Sequence, residues 1–149
     1  STAAGVLSER RIGALIVLQR LMELDPFIEV GTAIDAKVTS ELLTSIFLPY
    51  SPIHDGAVII RDGKLTMAGC FLPLSRNPAI DKSVGTRHRA ALGLTEMVDA
   101  VVVVVSEETG KISVVTGGRI TTAGDPVKLR KMLGRLMDSD LVAEGRGDA

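Results

Sequence analysis

Ala100-Val101-Val102-Val103-Val104-Val105-Ser106-Glu107-Glu108 is the stretch that decides the fold. A nearly pure β-branched run favours a strand, and with no polar side chain to turn toward water it predicts burial on both faces. The sheet that contains it must then be covered on both sides. Directly after the run a hydroxyl and two carboxylates, Ser106, Glu107 and Glu108, emerge at the carboxyl end of a central strand, where ligand crevices often open. A polar approach to a hairpin is the commoner origin of an isolated Ser-Glu-Glu. Glu108-Thr109-Gly110-Lys111 turns the chain into a second apolar run, Ile112 to Val115, which predicts an antiparallel neighbour.

Outward from this hairpin, Ile12 to Leu18 is an apolar run of strand length, and its Gly13 and Ala14 leave room for close packing. The segment before it, Ser1 to Arg11, is weakly helical. The chain turns at Asp25-Pro26, and Thr39-Ser40-Glu41 caps a helix with apolar residues at Leu42, Leu43, Ile46 and Phe47, ending near Pro49. Ala57 to Ile60 and Leu65 to Leu72 flank Asp62-Gly63, a dipeptide suited to a two-residue hairpin. Leu74 to Gly85 has no sustained period and predicts a loop, with a helix following from about Thr86 to Val98. Pro126 opens an amphipathic closing helix through Leu129, Met132, Leu133 and Leu136, and Glu144 to Ala149 reads as a frayed end. No repeat and no linker interrupts the pattern. The expectation is one domain over residues 1–149, of mixed α/β (α+β) class, with a central mixed sheet flanked by helices.

Composition narrows the functions. The chain has 149 residues, 46% hydrophobic and 23% charged, which fits a folded domain. Its formal charge of −1 supplies no overall basic field, so no nucleic-acid partner is expected and any anion site must be local. A single cysteine, Cys70, excludes an internal disulfide and fits a reducing compartment. The apolar runs are strand-sized, so the chain as given reads as soluble.

Gly85-Thr86-Arg87-His88-Arg89 is the sharpest local conflict, because it places cations at a helix start, the positive end of the helix dipole. A bound polyanion reverses that penalty, since the free backbone N–H groups point the same way. Residues two apart on a helix point about 200° from each other, so one arginine serves the ligand while the other braces a carboxylate. A solvated basic turn with a half-buried His88 remains an equal reading of the pentapeptide alone. Asp55-Gly56, after Ser51-Pro52-Ile53-His54, has no hairpin to explain it. A carboxylate beside a residue without a side chain can meet a ligand hydroxyl or a divalent cation, although a plain turn accounts for it too. Phe71 and Leu72 close a strand and are either core or an apolar slot for a flat base. A metal phosphohydrolase using His54, Asp55 and His88 is disfavoured, because the two histidines form no metal-binding spacing.

Taken in order, these segments resemble the diadenylate cyclase (DAC) family, which condenses two ATP molecules into cyclic di-AMP. The resemblance rests on Asp55-Gly56-Ala57 and Arg87-His88-Arg89, with Arg11-Ile12-Gly13-Ala14-Leu15, Leu72-Pro73-Leu74 and Ser106-Glu107-Glu108-Thr109-Gly110 around them, and runs from about Arg11 to Val115. It is nearest to the membrane-anchored type A cyclases. The resemblance implies a cytoplasmic catalytic domain, transmembrane helices ahead of it in the full-length protein, and a divalent metal (magnesium, manganese or cobalt). It implies that Asp55 helps activate a ribose 3′-hydroxyl, with His54 or Asp55 near the metal, and that Gly56 and Ala57 leave the nucleotide room. Gly85, Thr86 and Arg87 would hold phosphates, with His88 and Arg89 completing the catalytic motif. Ser106 with Glu107 or Glu108 would border the triphosphate and metal, and Phe71-Leu72 would receive adenine. Phe71 stands where many relatives have tyrosine, which removes a hydroxyl contact and keeps stacking. Because the two attacks are reciprocal, a face-to-face homodimer is implied; a membrane regulator and phosphoglucosamine mutase are partners of relatives. The alternative is an inactive sensor that binds ATP or a cyclic dinucleotide.

Overall fold

The computed structural model describes residues 1–29 and 31–148, with side chains through 137. Its elements are α1 (Thr2–Glu9), β1 (Ala14–Leu18), a 3-10 turn (Asp25–Phe27), β2 (Thr32–Lys37), α2 (Ser40–Phe47), β3 (Ala57–Arg61), β4 (Lys64–Cys70), α3 (Thr86–Thr95), β5 (Val101–Val105), β6 (Ile112–Thr116), β7 (Arg119–Thr122) and α4 (Pro126–Asp148). The strands form one seven-stranded sheet in the order β2-β4-β3-β1-β5-β6-β7. β1 runs parallel to β3, and the other neighbours pair antiparallel.

The valine run behaves as its composition dictates. Val101, Val103 and Val105 pack into a core shared with Leu7 of α1, Phe47 of α2 and Leu129 of α4. Val102 and Val104 point the other way, into a second core with Ala91 and Leu94 of α3. Side chains alternate across a strand, so an unbroken apolar strand needs both helical layers.

Local chemistry sets the element ends. Thr39 accepts a hydrogen bond from Leu42 N–H (3.1 Å) at the start of α2, and Asp125 accepts from Lys128 N–H (2.9 Å) just before Pro126 opens α4. Asp62 and Gly63 both take positive φ, at 51° and 74°, as a primed hairpin turn requires. α3 stops at Thr95 and not at Val98, where the last turn tightens and Met97 N–H and Val98 N–H share Leu94 O (3.0 Å each). β1 begins two residues later than its apolar run, because Arg11 and Ile12 are used in closing α1. β4 ends at Cys70 and not Leu72, where Phe71 leaves the ladder to bridge Glu29. The strands β2 and β7 were not expected from sequence. Both are edge strands with largely exposed side chains, so they lack a buried face to impose an apolar pattern. The frayed end expected over Glu144–Ala149 falls beyond the residues whose side chains are described. Among the described residues no helix is long and apolar enough to cross a membrane.

Candidate active site

Register brings the sequence motifs to one edge of the sheet. Ala14 at the head of β1 pairs with Val105 at the tail of β5, and Ala57 at the head of β3 pairs with Cys70 at the tail of β4. Because β1 and β3 are parallel, both heads lie on the same edge. That edge therefore carries, strand by strand, Phe71 after β4, Asp55-Gly56 before β3, Gly13 before β1 and Ser106-Glu107 after β5.

α3 starts at this edge. Its N-cap is Gly85, which has no side chain to satisfy the first-turn amides, and no acidic residue stands in that turn. A cleft of 660 Å³ opens there, lined by Gly85, Thr86, Arg87 and His88 of α3, by Ser106, Glu107 and Glu108, and by Lys111, Ser113 and Thr122 of the neighbouring strands. Uncapped amides, an arginine and a lysine around open space suit a polyanion. Lys111, Ser113 and Thr122 were not singled out from sequence: the hairpin that carries Lys111 and Ser113 is legible there but the face they turn to the start of α3 is not, and Thr122 arrives on β7.

The two arginines of the motif part ways, as their spacing predicts. Arg87 turns toward the sheet edge, its Nη1 3.6 Å from Glu107 Oε1. Its guanidinium lies against buried Gly13, where a β-carbon would stand 2.5 Å from Cζ. Arg89 turns to the preceding loop, donating from Nε to Val84 O (3.2 Å) and from Nη2 to Asp81 O (3.1 Å). The brace is thus onto backbone carbonyls and not onto a carboxylate. The expectation is corrected there: the guanidinium ties the loop to the helix start, sharing Asp81 O with the Val84 N–H (3.1 Å). Asp81 is held below the usual carboxylate range, first by the backbone and hydroxyl of Ser83 and only then by Arg89. Half-buried His88 is held below its ordinary value near 6.5, first by burial and then by the charges of Lys111 and Arg87. The imidazole is therefore neutral at pH 7.

The Ser106 hydroxyl accepts the N–H groups of Glu108 and Thr109 (3.3 Å each), shaping the turn that presents both exposed glutamates. The remaining motif residues lie beside this cleft and outside its lining. Asp55 is exposed, and with β1 between them the head of β3 stands about 10 Å from the tail of β5, two strand spacings. Gly56 has φ 102°, and a β-carbon there would stand 2.8 Å from Cys70 O. Its missing side chain admits the β4 backbone. Ala57 is buried in the core under α3. Phe71, a residue 52% exposed, gives its backbone to Glu29 in both directions (2.8 and 3.1 Å), which leaves its ring as the part that can meet a ligand; Leu72 beside it is 9% exposed.

His54 and Asp55 are neighbours in sequence and carry donor types that can ligate a cation. His54 Nδ1 lies 2.8 Å from Ser51 O, a carbonyl that only accepts, so Nδ1 is the donor there and Nε2 is the ring nitrogen left for another partner. Metal-binding histidines are commonly oriented this way. Among the described residues no three His, Cys, Asp or Glu side chains converge. An ion held by His54 and Asp55 would complete its shell with phosphate and water, as magnesium usually does.

The fold and this edge define a mixed α/β domain with an uncapped, cationic helix start and a carboxylate two strands away. The chain belongs to the DAC family, described as DisA bacterial checkpoint controller nucleotide-binding, whose family model matches residues 1–120. It is similar to the cyclic di-AMP synthase CdaA of Bacillus subtilis (45% identity over 131 residues, 88% of this chain and 48% of the relative). It is also similar to a diadenylate cyclase of Listeria monocytogenes (47% over 127 residues, 85% and 46%). The chain thus spans about half the length of these relatives. Among solved structures it resembles DacA from Staphylococcus aureus in a double-mutant form, with a TM-score of 0.86 and 44% identity, covering 91% of this chain and 90% of that one.

Proposed function

We propose that this chain is the catalytic domain of a diadenylate cyclase, joining two ATP molecules into cyclic di-AMP with release of two pyrophosphates across a face-to-face homodimer. The observation that carries this reading is the separation, on one sheet edge, of the uncapped, cationic start of α3 from the carboxylate of Asp55. A nucleotide with its triphosphate by Thr86, Arg87 and Ser106 and its base by Phe71 lays its ribose along the edge toward Asp55. A 3′-hydroxyl held there meets the α-phosphorus of a second nucleotide only if another protomer presents it.

In the reaction each 3′-oxygen forms a bond to the α-phosphorus of the opposite ATP while the bond from that phosphorus to pyrophosphate breaks. The pyrophosphate departs with the electron pair, and the hydroxyl proton passes to Asp55 and on to water. A divalent cation at His54 and Asp55 would supply charge neutralisation and make the hydroxyl easier to deprotonate. The first-turn amides of α3 and the Arg87 guanidinium stabilise charge that builds on the phosphates, and fixed donors do this without reorganising. His88, neutral beside two cations, donates or accepts a hydrogen bond without adding charge. ATP and a second copy of the chain are the partners this reading needs; a membrane anchor, a membrane regulator and phosphoglucosamine mutase follow from kinship alone.

Mass spectrometry of the products from ATP and Mn²⁺ tests the proposal. The expected outcome is cyclic di-AMP and pyrophosphate. Asp55→Asn should keep ATP binding and lose at least about 100-fold in turnover, the usual contribution of a positioned proton acceptor. Nucleotide bound and left unchanged by the wild-type chain would instead identify a sensor.

A further inference from the structure

The end of α1 is built against the turn that carries Ser106, Glu107 and Glu108. α1 closes with the paired bonds of a Schellman cap, Arg11 N–H to Ser8 O (3.1 Å) and Ile12 N–H to Leu7 O (2.9 Å). Such a cap holds its C′ residue in the left-handed region, and Arg11 sits there at φ 53°. Glycine is the usual occupant, because a β-carbon is penalised in that conformation. What arginine adds is reach: Arg11 Nη1 donates to Glu108 O at 3.4 Å. One turn earlier, the Ser8 hydroxyl donates to Gly110 O at 2.5 Å. The backbones also touch, since a β-carbon on Gly110 would stand 2.6 Å from Ser8 O. Two residues beyond Arg11, Gly13 supports the Arg87 guanidinium. One short segment, residues 8–13, therefore contacts both the acidic turn and the phosphate-binding arginine.

We propose that Ser8 and Arg11 are positioning residues, which clamp the Ser106–Glu108 turn in register with Arg87 so that the pole for the β- and γ-phosphates is preformed. The clamp's effect on catalysis rests on the cyclase reading, whereas its effect on the turn does not. A left-handed arginine is kept at a local conformational disadvantage, and the contact it makes is with the turn that borders the cleft.

Arg11→Gly and Ser8→Ala test this cleanly, because both satisfy local backbone preference better than the native residue. Arg11→Gly should melt at or above the wild type, and Ser8→Ala within a few degrees of it, as the helix-propensity gain offsets part of the lost bond to Gly110 O. Amide hydrogen exchange over residues 106–110 should quicken, and KM for ATP should rise, each by about three- to tenfold, the range that one lost hydrogen bond gives. Affinity for AMP, which has no β- or γ-phosphate, should not change, and Arg11→Lys should recover part of the loss. Wild-type exchange rates over 106–110 in both variants would overturn the clamp. Faster exchange with an unchanged KM for ATP would overturn its link to the triphosphate. If the wild-type chain makes no cyclic di-AMP, the cyclase reading fails, and the exchange rates still decide whether the clamp exists.

Discussion

Gly13→Ala is the perturbation that separates packing from positioning most sharply. A β-carbon at Gly13 would stand 2.5 Å from Arg87 Cζ and Nη1 and 2.9 Å from Nη2. Carbon atoms in contact prefer about 3.5–4.0 Å, so the guanidinium must retreat by roughly 1 Å or more. The obstacle is the far end of a flexible side chain, so the backbone of β1 need not move. Stability should hardly change, since a Gly→Ala replacement gains about 0.4–1 kcal/mol through the unfolded chain and offsets a clash of similar size. Activity should change much more. Misplacing a reacting or charge-stabilising group by about 1 Å costs on the order of 100-fold, and the shift also parts Arg87 from Glu107. Thermal melting and initial rates of cyclic di-AMP formation give the two readouts. The expected variant melts within about 4 °C of the wild type, the shift that ~1 kcal/mol produces in a chain of this size, and loses about 10- to 100-fold in kcat/KM. A folded Gly13→Ala protein with wild-type kcat/KM would refute the reasoning that Arg87 must rest on bare backbone.

His88 carries a pH signature. Its pKa is below 6.5 in the native state, so between that value and 6.5 the unfolded chain binds more protons, stability falls as pH drops through the window, and the loss levels off below it. His88→Gln should remove this component from denaturant midpoints compared between about pH 8 and about pH 5. In NMR titration the ring should protonate below 6.5 in ligand-free protein and at higher pH once a triphosphate neutralises Lys111 and Arg87; a ligand-free value at or above 6.5 would contradict this. Arg89→Met removes both bonds to the loop carbonyls of Val84 and Asp81. Faster exchange over residues 81–85 and a raised KM for ATP are expected, with a smaller change in kcat. Arg89→Lys should not restore them, because an ammonium cannot reproduce the two-donor fork.

Much of this protein is legible in one dimension. Five consecutive valines can be buried on both faces only in a covered sheet, Asp62-Gly63 can be read as a hairpin without its neighbours, and cations at Arg87 and Arg89 conflict with a helix start in any fold. These are local facts of conformation and charge, and a string of residues contains them. The two edge strands escaped notice because exposed positions are under no pressure to alternate. Tertiary structure alone decided which motifs meet. Strand register brings Gly13, Asp55, Phe71 and Ser106 to one edge although up to about ninety positions separate them along the chain. It turns Gly56 into a seat for β4 and Gly13 into one for Arg87. It also recruits Thr122, which reaches the cleft because the edge strand β7, without an apolar pattern of its own, pairs with Ser113 of β6 beside β5.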